Sequence, residues 1–265
     1  MRKFITVIFL LTFLSSSAAV TDTLAVIRKK SASETNLPNG RKAECNIICD
    51  CPQVDNPQFN AAFTSWLKGV ANQFFEHDGD SLIMMSALEG MFYKNLKREI
   101  SLASISLKDA PVFNVALDLE VKKLYEKKSF VTFRQNWIYY SAAGIRSEIT
   151  QERSFNKISG EALKWADVIA PKKLGQFKKI VVAALGPYFG VRDLENLKSK
   201  MTKGDAVTYQ NFPLPSAGPC FEKAGLKLIY AKGEIASSDV GHPSALIPYS
   251  SIASCLSPSA KKLIK

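Results

Sequence analysis

Apolar side chains recur at helical spacing in two neighbouring stretches of the first half of the chain. The first stretch opens at Asn56-Pro57, where Asn suits the N-cap and Pro suits the first helical position. Its apolar face consists of Phe59, Phe63, Trp66, Leu67, Val70 and Phe74, and we expect the helix to end at His77-Asp78-Gly79-Asp80. The stripe of a second helix, predicted from Ser81 to Leu102, consists of Leu82, Met85, Leu88, Phe92, Leu96 and Ile100. Two adjacent amphipathic helices usually bury their stripes against one sheet.

The hydrophobic period then changes from that of a helix to that of a strand. Phe113 to Val121 alternates apolar with polar or small residues, and Ser129 to Tyr140 is rich in aromatic and β-branched residues. A third strand is suggested from Ile149 to Phe155, and the short connections favour antiparallel pairing. Further helices are predicted for 172–188 and 192–201, and further strands for 220–221, 226–230 and 245–247. The pattern therefore predicts an α+β fold, with an antiparallel sheet and helices packed on one face.

The chain begins with the three parts of a secretory signal peptide. Arg2 and Lys3 precede an apolar run from Phe4 to Leu14, and Ser17-Ala18-Ala19 supplies small residues for cleavage. The run is about half of the roughly 20 residues that a spanning helix needs, so we expect no stable membrane insertion. Residues 1–19 are therefore predicted to be removed, and the mature protein is predicted to be periplasmic or secreted.

The next segment, residues 20–55, is polar and contains the broken stretches Ser31-Ala32-Ser33 and Asn36-Leu37-Pro38-Asn39-Gly40. Such a composition is typical of a linker or tether. We therefore interpret 20–55 as a polar N-terminal arm and 56–265 as a single α+β domain, a length that suits one domain.

Basic residues outnumber acidic ones by 35 to 24, which gives a formal net charge of +11. Seven lysines concentrate in one helical region: Lys172, Lys173, Lys178, Lys179, Lys198, Lys200 and Lys203. A positive surface favours an anionic envelope glycan, a lipid or an acidic protein as partner, although a solvated basic surface explains the same charge. Nucleic acid is not expected, because the compartment is wrong and few aromatic residues are interleaved with these lysines.

Five cysteines lie beyond the leader: Cys45, Cys49, Cys51, Cys220 and Cys255. Disulfides are expected outside the cytoplasm, and an odd number leaves at least one thiol without a partner in the chain. We favour a Cys220–Cys255 bridge, since both residues lie in the C-terminal part. A metal site at the cluster 45–51 lacks a clear fourth ligand, because only His77 and His242 are available. A thiol nucleophile with His242 as its base is an open alternative.

Three segments carry a resemblance to a known family. Arg153 to Glu161 forms a strand and turn ahead of the apolar segment Leu163 to Ile169, which contains Asp167. Residues 221–230 read FEKAGLKLIY, and residues 241–250 read GHPSALIPYS. In their order these segments resemble the RsiV/PdaC-type extracytoplasmic domain, which is shared by an anti-sigma factor and by the non-catalytic half of a peptidoglycan deacetylase.

The resemblance covers the chain in outline from Asn56 to the C-terminus and is specific over its last third. It implies an α+β domain that binds something in the cell envelope. In the anti-sigma factor the ligand is a lysozyme, which is basic, and this chain without Arg2 and Lys3 has a net charge of 11 − 2 = +9. Surfaces of like charge disfavour docking, so that ligand is not expected here. The family's Tyr-x-Gly-Gly-Ala-His-like turn reads YSAAGI at residues 140–145, and no role is carried over for it.

No strong catalytic motif is present, and no catalytic residue, metal or cofactor is assigned. Ser65 to Lys68 and Ser259 to Lys262 match Ser-x-x-Lys, but neither has the companion motifs of the serine acyl enzymes. The sequence contains no phosphate loop, no dinucleotide fingerprint and no His-Glu-x-x-His helix. We therefore predict a non-enzymatic exported envelope binding module that recognises an envelope glycan or protein ligand. The alternative is a hydrolase or accessory domain acting on a cell-envelope polysaccharide.

Two groups of residues are candidate ligand contacts. The loop from Ala236 to Pro243 contains Asp239 and His242, and Tyr249 follows soon after it. Loops between strands often carry function, although many only connect, and a His beside an Asp would make binding depend on pH. The second group is Trp137, Tyr139 and Tyr140. These rings could form a stacking platform for a sugar or a peptide side chain, or could pack within the sheet as aromatic residues commonly do.

Overall fold

A computed structural model of the chain describes residues 23–37, 40–75, 85–106 and 113–264. The expected leader, the expected end of the first helix at 77–80 and the expected start of the second helix at 81 lie outside these residues. The elements are β1 (Val26–Asn36), β2 (Lys42–Pro52), α1 (Pro57–Phe74), α2 (Met85–Ser106), β3 (Val115–Glu126), β4 (Phe130–Tyr140), β5 (Arg146–Asn156), α3 (Trp165–Val168), α4 (Leu174–Phe189), α5 (Leu194–Lys198), β6 (Cys220–Phe221), β7 (Gly225–Ile229), β8 (Ser244–Pro248), α6 (Tyr249–Ile252) and α7 (Pro258–Leu263). Within the ranges given, no helix combines the length and the apolar character needed to cross a membrane.

The strands β1 to β5 form one sheet in sequential order. β2 and β3 pair in parallel while the other neighbours pair antiparallel, so the sheet is mixed. α1 and α2 lie between β2 and β3 in the chain and provide the long crossover that a parallel pair requires. α1 begins as the sequence indicates, because Phe59 N donates to the capping Asn56 Oδ1 at 3.1 Å. Apolar residues of both helices share a core with the sheet, and the predicted α+β class is confirmed.

The interpretation of residues 20–55 as a polar arm is wrong for 26–52, which form β1 and β2. The two strands pair antiparallel along their whole length, from Val26 opposite Pro52 to Asn36 opposite Lys42. Alternate residues of β2 face the core and are buried: Ala43, Cys45, Ile47 and Cys49. Apart from Ile47 these residues are small or carry sulfur, and most of their neighbours are polar, so the period of two was present while the average composition was that of a linker.

The C-terminal part builds a second core around the antiparallel sheet β6-β7-β8. α4 contributes the buried Phe177, Val181 and Leu185, which share this core with residues of α5, α6 and α7. The two segments that carry the family resemblance most specifically, 221–230 and 241–250, supply most of this sheet.

A buried pair of hydroxyl groups joins the two sheets. Thr132 Oγ1 lies 2.7 Å from Ser154 Oγ and donates to Phe221 O at 2.8 Å. Phe221 N donates in turn to Ser154 Oγ at 2.9 Å. Both hydroxyls are fully buried, so these bonds fix β6 against β4 and β5.

Candidate functional site

A polar cleft lies on the face of the five-stranded sheet opposite to α1 and α2. Successive side chains of a strand point to opposite faces, so the odd-numbered residues of β4 from Val131 to Tyr139 enter the core beneath the helices, while Arg134, Asn136 and the other even-numbered residues lie on the opposite face. The cleft has a volume of about 290 Å³. Its lining consists of Glu120, Arg134, Asn136, Glu148, Thr150, Glu152, Lys227 and Ile229.

Glu152 is the centre of this cleft and is fully buried, with 0% of its surface exposed. Its Oε1 accepts from Arg134 Nε at 2.7 Å and from Lys227 Nζ at 2.8 Å. Its Oε2 is also buried but has no hydrogen-bond partner among the described residues. A buried carboxylate oxygen without a donor is costly, so Glu152 Oε2 is an unsatisfied acceptor behind the surface of the cleft.

Strand register explains how the sequence assembles the cleft. Arg134 lies directly opposite Glu152 in the β4–β5 pair, and Asn136 lies opposite Thr150. Thr150 Oγ1 donates to Asn136 Oδ1 at 2.7 Å, which orients the amide. Lys227 reaches the same carboxylate from β7 of the second sheet, so the cleft forms where the two sheets meet.

The charges that line the cleft nearly balance. Three carboxylates face two cations, and Glu148 forms a further ion pair with Arg146 at 2.7 Å. Ile229, only 8% exposed, adds an apolar surface. Carboxylate, amide, hydroxyl, guanidinium and ammonium groups together offer both donors and acceptors, which suits a ligand that carries several hydroxyl groups.

Sequence reasoning missed this cleft because its residues are ordinary surface types in strands. The alternation of Glu148, Thr150 and Glu152, placed opposite Arg134 and Asn136 in the expected β4–β5 pairing, is the signal that could have indicated it. The contribution of Lys227 from β7 has no signal in the sequence, because it depends on how the two sheets pack.

The aromatic platform suggested by the sequence does not form. Trp137 is fully buried, and its Nε1 donates to Gln135 Oε1 at 2.8 Å. Tyr139 is also in the core, where its hydroxyl donates to Glu99 Oε1 at 2.7 Å and burial raises its pKa. Tyr140 points to the opposite face and is 37% exposed. Strand alternation therefore separates the three rings.

The structure also separates the loop residues from Tyr249. Asp239 is exposed, and a hydrogen bond with Ser237 lowers its pKa. His242 Nδ1 lies 3.2 Å from Tyr230 O, while its Nε2 is buried without a partner among the residues described. Tyr249 follows the far end of β8, where its hydroxyl donates to Glu222 O at 2.7 Å. His242 and Tyr249 lie at opposite ends of the five-residue strand β8. Because a strand rises by about 3.3 Å per residue, the length of β8 keeps the two side chains apart.

The Cys220–Cys255 bridge is absent, because all five cysteines carry free thiols. Cys220 lies in β6 opposite Lys227, fully buried, and burial raises the pKa of its thiol well above the ordinary value. Cys255 follows α6, where its carbonyl accepts from Ala170 N at 2.9 Å. The bridge was predicted because both cysteines lie in the C-terminal part of the chain, but the fold does not join the two thiols. The raised pKa also disfavours Cys220 as a nucleophile.

A second pair of thiols lies on β2. Cys49 and Cys51 are two residues apart, so their side chains share a face. The neighbouring Cys49 thiol lowers the pKa of Cys51 to about 7, with help from the charge of Lys29 and against the effect of burial. Across the described ranges, no group of three or more His, Cys, Asp or Glu side chains is arranged to hold a metal ion.

Comparisons with known proteins relate the chain to others by fold. No family model matches the sequence, and no curated protein matches it. A member of the DUF3298 family from Bacteroides fragilis superposes with a TM-score of 0.66 at 12% identity, covering 91% of this chain and 97% of the other. A DUF3298 family protein from Pseudomonas aeruginosa superposes with a TM-score of 0.57 at 12% identity, covering 89% and 96%. At 12% identity the likeness shows a shared fold and does not show a shared activity. The family name DUF3298 itself denotes a domain of unknown function.

Proposed function

We propose that the chain is a non-enzymatic exported binding module of the cell envelope, and that the cleft around Glu152 holds an envelope glycan. The observation that carries the proposal is the polar lining of the cleft, where Arg134, Asn136 and Thr150 surround the buried Glu152 carboxylate. Sugar hydroxyl groups can bond to these side chains. Export is supported by the leader pattern of residues 1–19, and kinship with RsiV/PdaC-type domains is supported by residues 221–230 and 241–250.

The lining favours a glycan over an extended peptide. Asn136 and Thr150 present an amide and a hydroxyl beside the carboxylate, and the open side of Arg134 adds further donors. A peptide that adds to a sheet bonds through the backbone along a strand edge, whereas the groups that line this cleft are side chains that project from the sheet face. The near balance of charge suits neutral hydroxyl groups.

The test is an array of envelope glycans followed by calorimetry on the mature protein. Asn136→Ala and Thr150→Val remove ligand contacts without breaking the ion pairs of Glu152, and each is expected to weaken binding at least tenfold. Asn46→Ala is the matched control, because Asn46 lies on the same sheet face but bonds to Asp118 outside the cleft. Equal binding by all three variants would reject the cleft.

Variants of the loop 236–243 test whether the ligand binds at that loop and not in the cleft. If Asp239→Ala or His242→Ala weakens binding while Asn136→Ala does not, the ligand sits at that loop and the cleft assignment is wrong. We expect the reverse, because Asp239 bonds locally to Ser237 and His242 contacts Tyr230.

A hydrolase is the second candidate, and the three carboxylates of the cleft favour it. Glycoside hydrolysis uses two carboxyl groups on either side of the scissile bond. Glu120 and Glu148 would have to fill these roles, because Glu152 Oε1 is held by two cations. Release of shorter sugars by the wild-type protein, lost in Glu120→Gln and Glu148→Gln, would establish this candidate over the binding module.

A further inference from the structure

Arg153 follows Glu152 in β5 and points to the other face of the sheet, into a separate small pocket. The pocket has a volume of about 160 Å³, several times the roughly 30 Å³ that one water molecule occupies in the liquid. Its lining consists of Arg153, Ala162, Leu163, Lys164, Trp165, Ser216 and Gly218. It contains two cationic side chains and no acidic one.

The Arg153 guanidinium is unusual because it is largely buried yet forms no ion pair with a described residue. Its Nε donates to Ala217 O at 2.8 Å, which uses one of its five N–H groups. Burial lowers its pKa from the ordinary value, but an arginine remains charged in proteins. A buried charge without a counter-charge is costly.

Two acidic groups that bond to backbone N–H groups of lining residues, Asp167 and Glu234, are engaged in holding the backbone. Asp167 Oδ2 accepts from the backbone N of Lys164 at 2.7 Å. Both oxygens of Glu234 accept from backbone N–H groups, Oε1 from Ser216 and Oε2 from Ala231, each at 2.7 Å. These carboxylates hold the loops in place and do not neutralise the guanidinium.

The walls of the pocket are fixed by specific contacts. Trp165 Nε1 donates to Pro215 O at 2.9 Å, so the ring and Arg153 both hold the loop 215–217. Gly218 has φ of +90°, and a Cβ there would lie 2.9 Å from Leu163 O. Only glycine permits that approach without displacing the backbone, so the pocket is built in advance of any ligand.

We infer that this pocket binds an oxyanion, a carboxylate or a phosphate group presented by a ligand. The guanidinium fork matches two oxygens of such a group, and Lys164 and Ser216 line the same pocket. The site is distinct from the cleft around Glu152 and does not depend on the glycan proposal.

The experiment follows the Trp165 indole N–H and the Gly218 amide by nuclear magnetic resonance, with Trp165→Phe to assign the indole signal. The full mature protein is titrated separately with sodium phosphate and with sodium acetate at constant ionic strength. We expect saturable shifts with at least one of them. Saturation by phosphate alone identifies a phosphate group, and saturation by acetate alone identifies a carboxylate. No saturation by either up to about 100 mM, a range that covers millimolar affinity, would overturn the inference.

Variants test whether the arginine fork is responsible. Arg153→Lys keeps the charge but loses the fork, and we expect at least fivefold weaker binding, with Lys164→Gln weaker by about threefold. Arg146→Gln, an exposed position of the same strand, is the matched control and should bind as the wild type does. If Arg153→Lys disturbs the loop 215–217, the test rests on Lys164→Gln alone. Lys164 is exposed, so its replacement should not disturb the fold. Wild-type affinity in that variant would then contradict the site.

Discussion

Glu152 and Arg153 are neighbours in the chain with opposite electrostatic surroundings. Glu152 is buried between two cations and retains one free oxygen. Arg153 is largely buried and has no described carboxylate as partner. Each side chain therefore lacks a complement among the described residues, Glu152 a second donor and Arg153 an anion.

Replacement of Glu152 should show how much its ion pairs stabilise the fold. Glu152→Ala leaves Arg134 and Lys227 facing each other without the shared carboxylate, and we expect a loss of about 2–3 kcal/mol in the free energy of unfolding. Solvent weakens the Arg134–Glu152 ion pair, because the Arg134 side chain is 39% exposed. Urea denaturation measures it, with Glu148→Gln as a control that should cost under about 1 kcal/mol. Similar losses in both variants would mean that Glu152 is not the structural centre of the cleft.

Cys51 should be the most reactive thiol of the folded protein. Its pKa of about 7 makes it substantially ionised at neutral pH, whereas burial raises the pKa values of Cys45 and Cys220. Alkylation followed by peptide mass mapping should label Cys51 first, with a rate that rises through about pH 7. Cys49→Ala removes the neighbouring thiol that lowers the pKa of Cys51 and should slow the reaction severalfold at pH 7. Unchanged kinetics in that variant would show that the Cys49 thiol has no effect on the Cys51 thiolate.

At the scale of elements, the helices and the central strands could be predicted from periodicity, but the strands of the N-terminal part could not. α1 begins at the expected cap, Asn56, and β3 to β5 occupy the alternating stretches. β2 was not predicted because the residues that it buries include Ala43 and Cys45, which are not large apolar side chains. Its parallel pairing with β3 joins segments far apart in sequence, which periodicity does not report.

The junction of the two sheets depends on the hydroxyl of Thr132. Thr132→Val keeps the shape of the side chain but removes the donor to Phe221 O, so a buried carbonyl loses its partner. We expect a loss of about 1–3 kcal/mol in the free energy of unfolding. Thr35→Val on the exposed edge strand β1 is the control and should change it by under about 0.5 kcal/mol. Equal effects of the two changes would show that the junction adds nothing to stability.

At the scale of the whole molecule, the candidate site arises from the packing of two sheets. Lys227 lies 75 residues from the carboxylate that it contacts, so no local pattern could place the two together. The aromatic residues that the sequence singled out, Trp137 and Tyr139, were visible as large rings, but the pleat of β4 turns them into the core. Composition indicated a basic protein, while the cleft itself is nearly neutral.

The two proposed sites should respond differently to salt. Glycan binding in the cleft relies on hydrogen bonds to neutral hydroxyl groups, so its affinity should change by less than about twofold when ionic strength is raised. Oxyanion binding at Arg153 relies on charge and should weaken severalfold, because salt screens partly exposed charges. Calorimetry at two salt concentrations makes the comparison. Equal salt dependence would mean that both ligands use the same type of contact.

Glycan binding in the cleft is tested by mapping amide shifts while nitrogen-15-labelled mature protein is titrated with peptidoglycan-derived oligosaccharides. We expect saturable shifts concentrated at Asn136, Thr150 and Glu152 on the open sheet face, with the loop 236–243 unaffected. Shifts confined to that loop, or no saturable shift from any envelope glycan, would contradict binding in the cleft.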